Sequence, residues 1–472
     1  MTLSGNTIVL SLFLALLSFG PIQAQAQPRS MEQKLDSVIA TALPKGVSAS
    51  VYVYDLTADS AVYAFRETDM CRPASVQKVI TTVTALMSLG SDYTFQTQLT
   101  SQGAVADGVL SGDLYLVGGL DPGLQESDMR RMVSDLKSAG VTRIDGNVYA
   151  DVTIMDSIPW GSGWCWDDAP SSFQPYISPL MIHEGFVTVD VRPSDNGAAP
   201  VVTVTPALKS VKIDNRARTG VKSLGALKVT RDIMKNDNTI IITGNCTQRQ
   251  VKEISIPNSA DMAFSCFLNC LDEAGIKYSG TGWKQSPVMV KKFSVVERSI
   301  RDVVREALKE SNNLYAESLF LQTGRLSRPS GVNYSDAAAF VSDFVVRKLG
   351  VTQQDFNIVD GCGLSMYDYV SPQALVDFLK LIRTDEQLYK VFYRSLPVSG
   401  VDGTLKSRLG SQQTITKIHA KTGSVTGACT LAGYLTDSRG HEIAFCIMNG
   451  GAVKMAPSRR FQDTFCEVLY GM

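Results

Sequence analysis

RPASVQKVITTVTALMSLG, residues 72–90, sets Val76, Val79, Ile80, Val83, Leu86 and Met87 at helical spacing, so one stripe of a helix faces a core. Lys78 is the only charged residue between Arg72 and Asp92. It stands one turn from Ser75 on the same side, the spacing of an i, i+3 pair. Alone, the pair reads as a lysine laying its stem along apolar surface beside a helix-start serine. A serine with an amine one turn away is also a nucleophile with a base. Sequence far from this stretch decides between the two.

Upstream, residues 31–42 have a helical pattern, and GVSASVYVYDLTADSAVYAF (46–65) alternates like a hairpin turning near Thr57–Ser60. Downstream, 95–155 mixes strands, the turn GGLDPG and a helix over 126–139. WGSGWCWDDAP (160–170) reads as a loop, and 185–256 reads as strand and turn throughout. Helices are expected at 259–274, on both sides of Ser311 within 299–322, at 335–348, at 372–384 and at 457–469. Strands are expected at about 414–435 and 441–448. A chain of 472 residues exceeds one ordinary core. It divides into a segment opening the chain, a long passage of different character, and a segment closing it.

A net charge of −1 argues against a nucleic-acid surface, which needs clustered Lys and Arg. The apolar run Ile8–Phe19, followed by Gly20-Pro21 and Ala24-Gln25-Ala26, reads as a signal peptide over 1–26, although no Lys or Arg precedes it. The mature protein is then expected outside the cytoplasm, without a membrane-spanning segment. Nine cysteines are scattered rather than paired, and Cys266 and Cys270 sit on one helix, so mostly free buried thiols with at most one or two disulfides are expected. With three histidines and neither CxxC nor HExxH, no metal is expected.

SxxK alone is a weak signal, because Ser134–Lys137 matches it on a surface-like helix. SDN at Ser194–Asn196 likewise lies among turn residues. SNN at Ser311–Asn313, by contrast, interrupts two apolar-periodic helices. KTG at Lys421–Gly423 opens HAKTGSVTGACTLAGYL, a strand whose glycines allow close approach to the backbone. Together and in this order, Ser75-x-x-Lys78, Ser311-x-Asn313 and Lys421-Thr422-Gly423 form the trio of penicillin-interacting serine enzymes. With DGCGLS (360–365), LPVSGVDGTL (396–405) and the large insert before Ser311, the chain resembles the D-alanyl-D-alanine carboxypeptidase/endopeptidase group of low-molecular-mass penicillin-binding proteins over nearly its whole mature length. It departs from that group's DGSGLSR-like stretch at Cys362 and Met366.

The resemblance implies an α+β fold. A transpeptidase-like domain, an antiparallel sheet flanked by helices, would comprise 27–95 and 291–472. A second domain would comprise 96–184 and 257–290, with a β-rich third domain at 185–256 nested in it. It also implies a serine DD-peptidase acting on peptidoglycan stem peptides and acylated by β-lactam antibiotics, without a cofactor. Ser75 would be the nucleophile and Lys78 its base, its pKa lowered by desolvation and by a nearby second cation, for which Lys421 is the candidate. Ser311 would relay a proton to the leaving amine, and Asn313 would bind the substrate amide and Lys78. Lys421 and Thr422, with Gly423 and Ser424 in the same strand, would hold the terminal carboxylate. Backbone N–H groups of Ser75 and Ser424 would form the oxyanion hole. Asp151, Trp164 and Trp166 are candidates for binding the substrate's side chain. Glu317, Asp360 and Asp402 read as structural. A β-lactamase and a non-catalytic wall-binding or sensor protein are the alternatives, and association into a homo-oligomer stays open.

Overall fold

The structure, a computed structural model, describes residues 1–2, 30–208 and 210–472, so the signal-peptide expectation falls almost wholly outside the described residues. Its first sheet joins the two ends of the chain. Ile418–Val425, Gly427–Thr436, Glu442–Ala452, Ser48–Asp55 and Ser60–Phe65 lie side by side in that order, all antiparallel. Val51 pairs with Ile447 and Val53 with Phe445, a register in which valine and phenylalanine share a face. The two middle strands are buried almost end to end, which is why LAGYL and IAFCIM read as apolar runs rather than alternations.

One face of this sheet is covered by Met31–Ala42 and Met455–Tyr470, whose Leu35, Phe461 and Phe465 share a core with Val51, Leu431 and Ile447. The other face carries the helices Gln77–Leu89, Ile300–Lys309, Asn313–Gly324, Tyr334–Leu349, Pro372–Ile382 and Glu386–Ser395. Every residue of Asn313–Gly324 is buried, so the helix is wrapped on all sides and has no polar face. Glu386–Ser395 is a helix the sequence reading omitted. It restarts after Ile382 because the Asp385 carboxylate accepts from the N–H groups of Gln387 and Leu388. The long strand expected over 414–435 is two strands, folded back at Gly427 with φ +85°.

The insert forms a second five-stranded sheet, in the order Gly280–Trp283, Asn147–Asp151, Leu114–Val117, Thr94–Ser101 and Lys291–Ser299. The boundary expected at 291 is therefore corrected: Lys291–Ser299 pairs along Thr94–Ser101, and the chain turns into the helical body at Ile300. Ser299 makes that corner by accepting from Arg301 N–H. Between 186 and 255 the described elements are strands and one short 3-10 turn. Val187, Val189, Ile240 and Ile242 of this β-rich part join Leu114, Leu116 and Phe267 in one continuous core.

Candidate active site

Ser75 lies in a 3-10 turn, Ala74–Val76, that runs into Gln77–Leu89, and no side chain caps either start. The helix-capping reading of Ser75 therefore fails: its Oγ is 2.9 Å from Lys78 Nζ. Ala74 has φ +48°, a conformation that costs a non-glycine residue about 1–3 kcal/mol and persists where surroundings impose it. Gly363 supplies that constraint from behind, since a Cβ there would lie 1.9 Å from Ala74 O. Ser311, at the break between two helices, has φ +61°. Both serines of interest thus sit on or beside strained backbone.

Lys78 is fully buried. Its Nζ contacts Ser75 Oγ and also donates to Asn313 Oδ1 at 2.6 Å and to the carbonyl of Cys362 at 2.9 Å. Burial pushes its pKa below the ordinary lysine value, and Asp360 and Glu317 only partly oppose this. Desolvation is one of the two expected causes; the other, a second cation at Lys421, is not among those that act on Lys78. Lys421, also fully buried, is lowered well below its ordinary value, by burial first and then by Lys78. Its Nζ donates to Ser311 Oγ at 2.8 Å and to Thr422 O at 2.7 Å.

Gly423 brings the Lys421 strand against the nucleophile. A Cβ there would meet Thr430 Oγ1 at 2.1 Å, and Pro73 O and Ser75 N at 2.9 Å. Ile418–Val425 is an edge strand. Ile418 O and Ala420 N are bonded on its outer side, to Ser399 and Pro397, so by two-residue alternation the N–H groups of Thr422 and Ser424 face outward too. A cleft of about 550 Å³ opens there, lined by Ser75, Ser311, Thr404, Thr422, Ser424 and Arg459 among others. A larger cavity of about 750 Å³, between Ile300–Lys309 and Glu386–Ser395, contains none of the trio.

The layer behind Lys78 was read only in part: Glu317 and Asp360 were expected to be structural, but the backbone carbonyl they position was not foreseen. The Asp360 carboxylate accepts from the N–H groups of Cys362, Gly363 and Ser365 and from Trp164 Nε1. Glu317 accepts from Gly361 N–H, and burial followed by Asp360 raises its pKa to about 8. These two acids hold the loop whose Cys362 carbonyl meets Lys78. The insert also reaches in: Asn313 Nδ2 donates to Phe173 O at 2.6 Å, which leaves Oδ1 for Lys78. Backbone carbonyls carry no residue identity, and no sequence signal marks Cys362 or Phe173 for these contacts.

Asp151 is not in this cleft. It is buried at the end of an insert strand, its carboxylate accepting from Thr153 N–H and Oγ1–H and from Ser286 N–H. Trp164 is tied to Asp360 and packs edge-on against Tyr334, while Trp166 is exposed. Asp402 forms an ion pair with Lys309 at 2.8 Å, a structural role. All nine cysteines are free thiols.

Comparison with known proteins agrees with this geometry. D-alanyl-D-alanine carboxypeptidase DacB of Haemophilus influenzae is 26% identical over 490 residues, covering 99% of each chain. The crystal structure of penicillin binding protein 4 (dacB) from Haemophilus influenzae superposes with a TM-score of 0.84 at 24% identity, over 93% of this chain and 99% of that one. The same protein complexed with a novel beta-lactam gives 0.78 at 22% identity, over 93% and 100%. A family model, D-Ala-D-Ala carboxypeptidase 3 (S13), matches residues 31–469.

Proposed function

The chain belongs to the D-Ala-D-Ala carboxypeptidase 3 (S13) family and is a serine peptidase, and from that premise we propose how its residues divide the reaction. The observation that carries the proposal is the environment of Lys78. A neutral lysine amine has two hydrogens and one lone pair. Asn313 Oδ1 and Cys362 O take the hydrogens, so the lone pair is left facing the Ser75 hydroxyl. Ser75 then donates its proton to Lys78 as its Oγ attacks the carbonyl of the penultimate D-alanine. The developing oxyanion is held by the N–H groups of Ser75 and Ser424.

Collapse of the tetrahedral intermediate breaks the C–N bond and expels D-alanine; its nitrogen takes the proton that Lys78 received from Ser75, relayed through Ser311, so Lys78 is neutral again. Lys421 donates to Ser311 Oγ, which leaves that hydroxyl's own hydrogen free to be passed on. Water, deprotonated by Lys78, hydrolyses the Ser75 ester. No metal or redox group is called on in either half. The substrates are acyl-D-alanyl-D-alanine ends of peptidoglycan stem peptides, with cross-linked peptides as endopeptidase substrates. β-Lactams, which bind the solved relative, acylate Ser75. Such substrates lie outside the cytoplasm, and the apolar leader Ile8–Phe19 fits export to the periplasm. No helix among the described residues is long and apolar enough to cross a membrane.

The test is release of D-alanine from a stem pentapeptide by the mature protein and by Ser75→Ala. The reading requires release by the first and none by the second; equal release by both would refute it.

A further inference from the structure

A carboxypeptidase must recognise a free C-terminal carboxylate, and the residue expected to supply the positive charge for it here is poorly placed to do so. Lys421 is fully buried, its Nζ is engaged by Ser311 Oγ and Thr422 O, and burial favours its neutral form. The hydroxyls along the cleft, Thr422, Ser424 and Thr404, can donate hydrogen bonds but bring no charge. Three other cations line the same cleft on its far wall, formed by Met455–Tyr470 and the turn before Leu409: Arg408, Arg459 and Arg460, of which, among the described residues, only Arg459 makes a hydrogen bond to the Lys421 strand. Arg408 is already spent. Its guanidinium is held by Asp463 at 2.6 Å, by Gln462 Oε1 and by the carbonyl of Arg459, and it is mostly buried. Arg459 is different: it is exposed, forms no salt bridge among the described residues, and reaches Ser424 Oγ at 3.3 Å.

We propose that Arg459, on the C-terminal helix, is the specificity-determining cation of the cleft. Its guanidinium binds the substrate's terminal carboxylate beside the Thr422 and Ser424 hydroxyls. The rigid fork of an arginine matches a carboxylate in two hydrogen bonds, which a lysine point charge does not. The Arg408–Asp463 pair becomes the brace that fixes this helix against the 403–409 turn, so that Arg459 is presented without having to reorganise. Lys421 keeps its place in the proton path through Ser311. Recognition of charge and movement of protons are thereby assigned to different residues.

This assignment rests on the DD-peptidase reading, and the experiment separates the two. The full mature protein, Arg459→Ala and Arg459→Lys are assayed on an acyl-D-Ala-D-Ala peptide and on the same peptide as its C-terminal amide, with thermal unfolding as a check on folding. The expected result is a fall of roughly 10- to 100-fold in kcat/KM on the acid for Arg459→Ala, with the amide unchanged and partial recovery in Arg459→Lys. Parallel losses on acid and amide would make Arg459 merely structural, and no loss on the acid would leave recognition to the strand itself; either overturns the proposal. Wild-type protein that turns over neither peptide would overturn the DD-peptidase reading and this inference with it.

Discussion

At the scale of single residues, the proposed reaction turns on a lysine whose pKa is lowered by burial. Lys78 has its hydrogens claimed by Asn313 and Cys362, and its pKa is lowered chiefly by desolvation. The neutral base is the active form, so kcat/KM must rise as pH rises through the lowered lysine value and then level off. Because Lys421 is lowered too, and by Lys78 in part, the limb belongs to the coupled pair rather than to either amine. Lys78→Arg, which stays charged, is expected to lose about 10²–10⁴-fold in acylation across the whole range. A pH–rate profile of β-lactam acylation checks both statements; a flat wild-type profile, or an arginine variant with an intact ascending limb, contradicts them. Side-chain type and spacing singled out Ser75, Lys78, Ser311, Asn313 and Lys421 in the sequence, and the structure brings Lys78 to Ser75 and Asn313, and Lys421 to Ser311. The carbonyls of Cys362 and Phe173 were not singled out, since the atoms that matter there belong to the backbone.

At the scale of elements, a strand edge approaches a helix start closely, and on the proposed mechanism this approach places the oxyanion donors. Gly423 makes the approach possible, and Gly423→Ala would drive a methyl into Thr430 Oγ1 and against Pro73 O and Ser75 N. Overpacking of this kind costs about 1–3 kcal/mol in stability. The larger expected effect is on acylation, a loss of at least about tenfold with the fold retained, read by stopped-flow acylation alongside thermal unfolding. Unchanged acylation would mean that this strand does not supply the donor. Most elements were readable from periodicity, including the break at Ser311, where polar residues interrupt two apolar patterns. The helix Glu386–Ser395 was missed because its start rests on one aspartate cap just beyond another helix. Residues 291–299 were counted with the closing segment and not read as a strand; their pairing along Thr94–Ser101 is a long-range contact that nothing in the stretch itself marks.

At the scale of the whole molecule, the chain folds its ends into one sheet and sends its middle out as an insert that returns to the site. Trp164 donates to Asp360, whose carboxylate orders the loop that presents the Cys362 carbonyl to Lys78. Phe173 O orients the Asn313 amide, and Glu184 accepts from Asn312 Nδ2 at 2.7 Å. The insert therefore hydrogen-bonds directly to the residues around Lys78, which on the proposed mechanism makes it part of the catalytic apparatus. Trp164→Phe keeps the ring and deletes the donor, leaving Asp360 one partner short. The variant should lose about 1–2 kcal/mol of stability and acylate roughly five- to tenfold more slowly. Loss of stability with wild-type acylation would uncouple the insert from Lys78. The proposed mechanism rests above all on Ser75 as the nucleophile. The most direct measurement is peptide mass spectrometry of the mature protein after exposure to a fluorescent penicillin. The account predicts one covalent adduct, on Ser75, that reverses slowly and is absent from Ser75→Ala; an adduct on another residue, or one that persists in the variant, would contradict it.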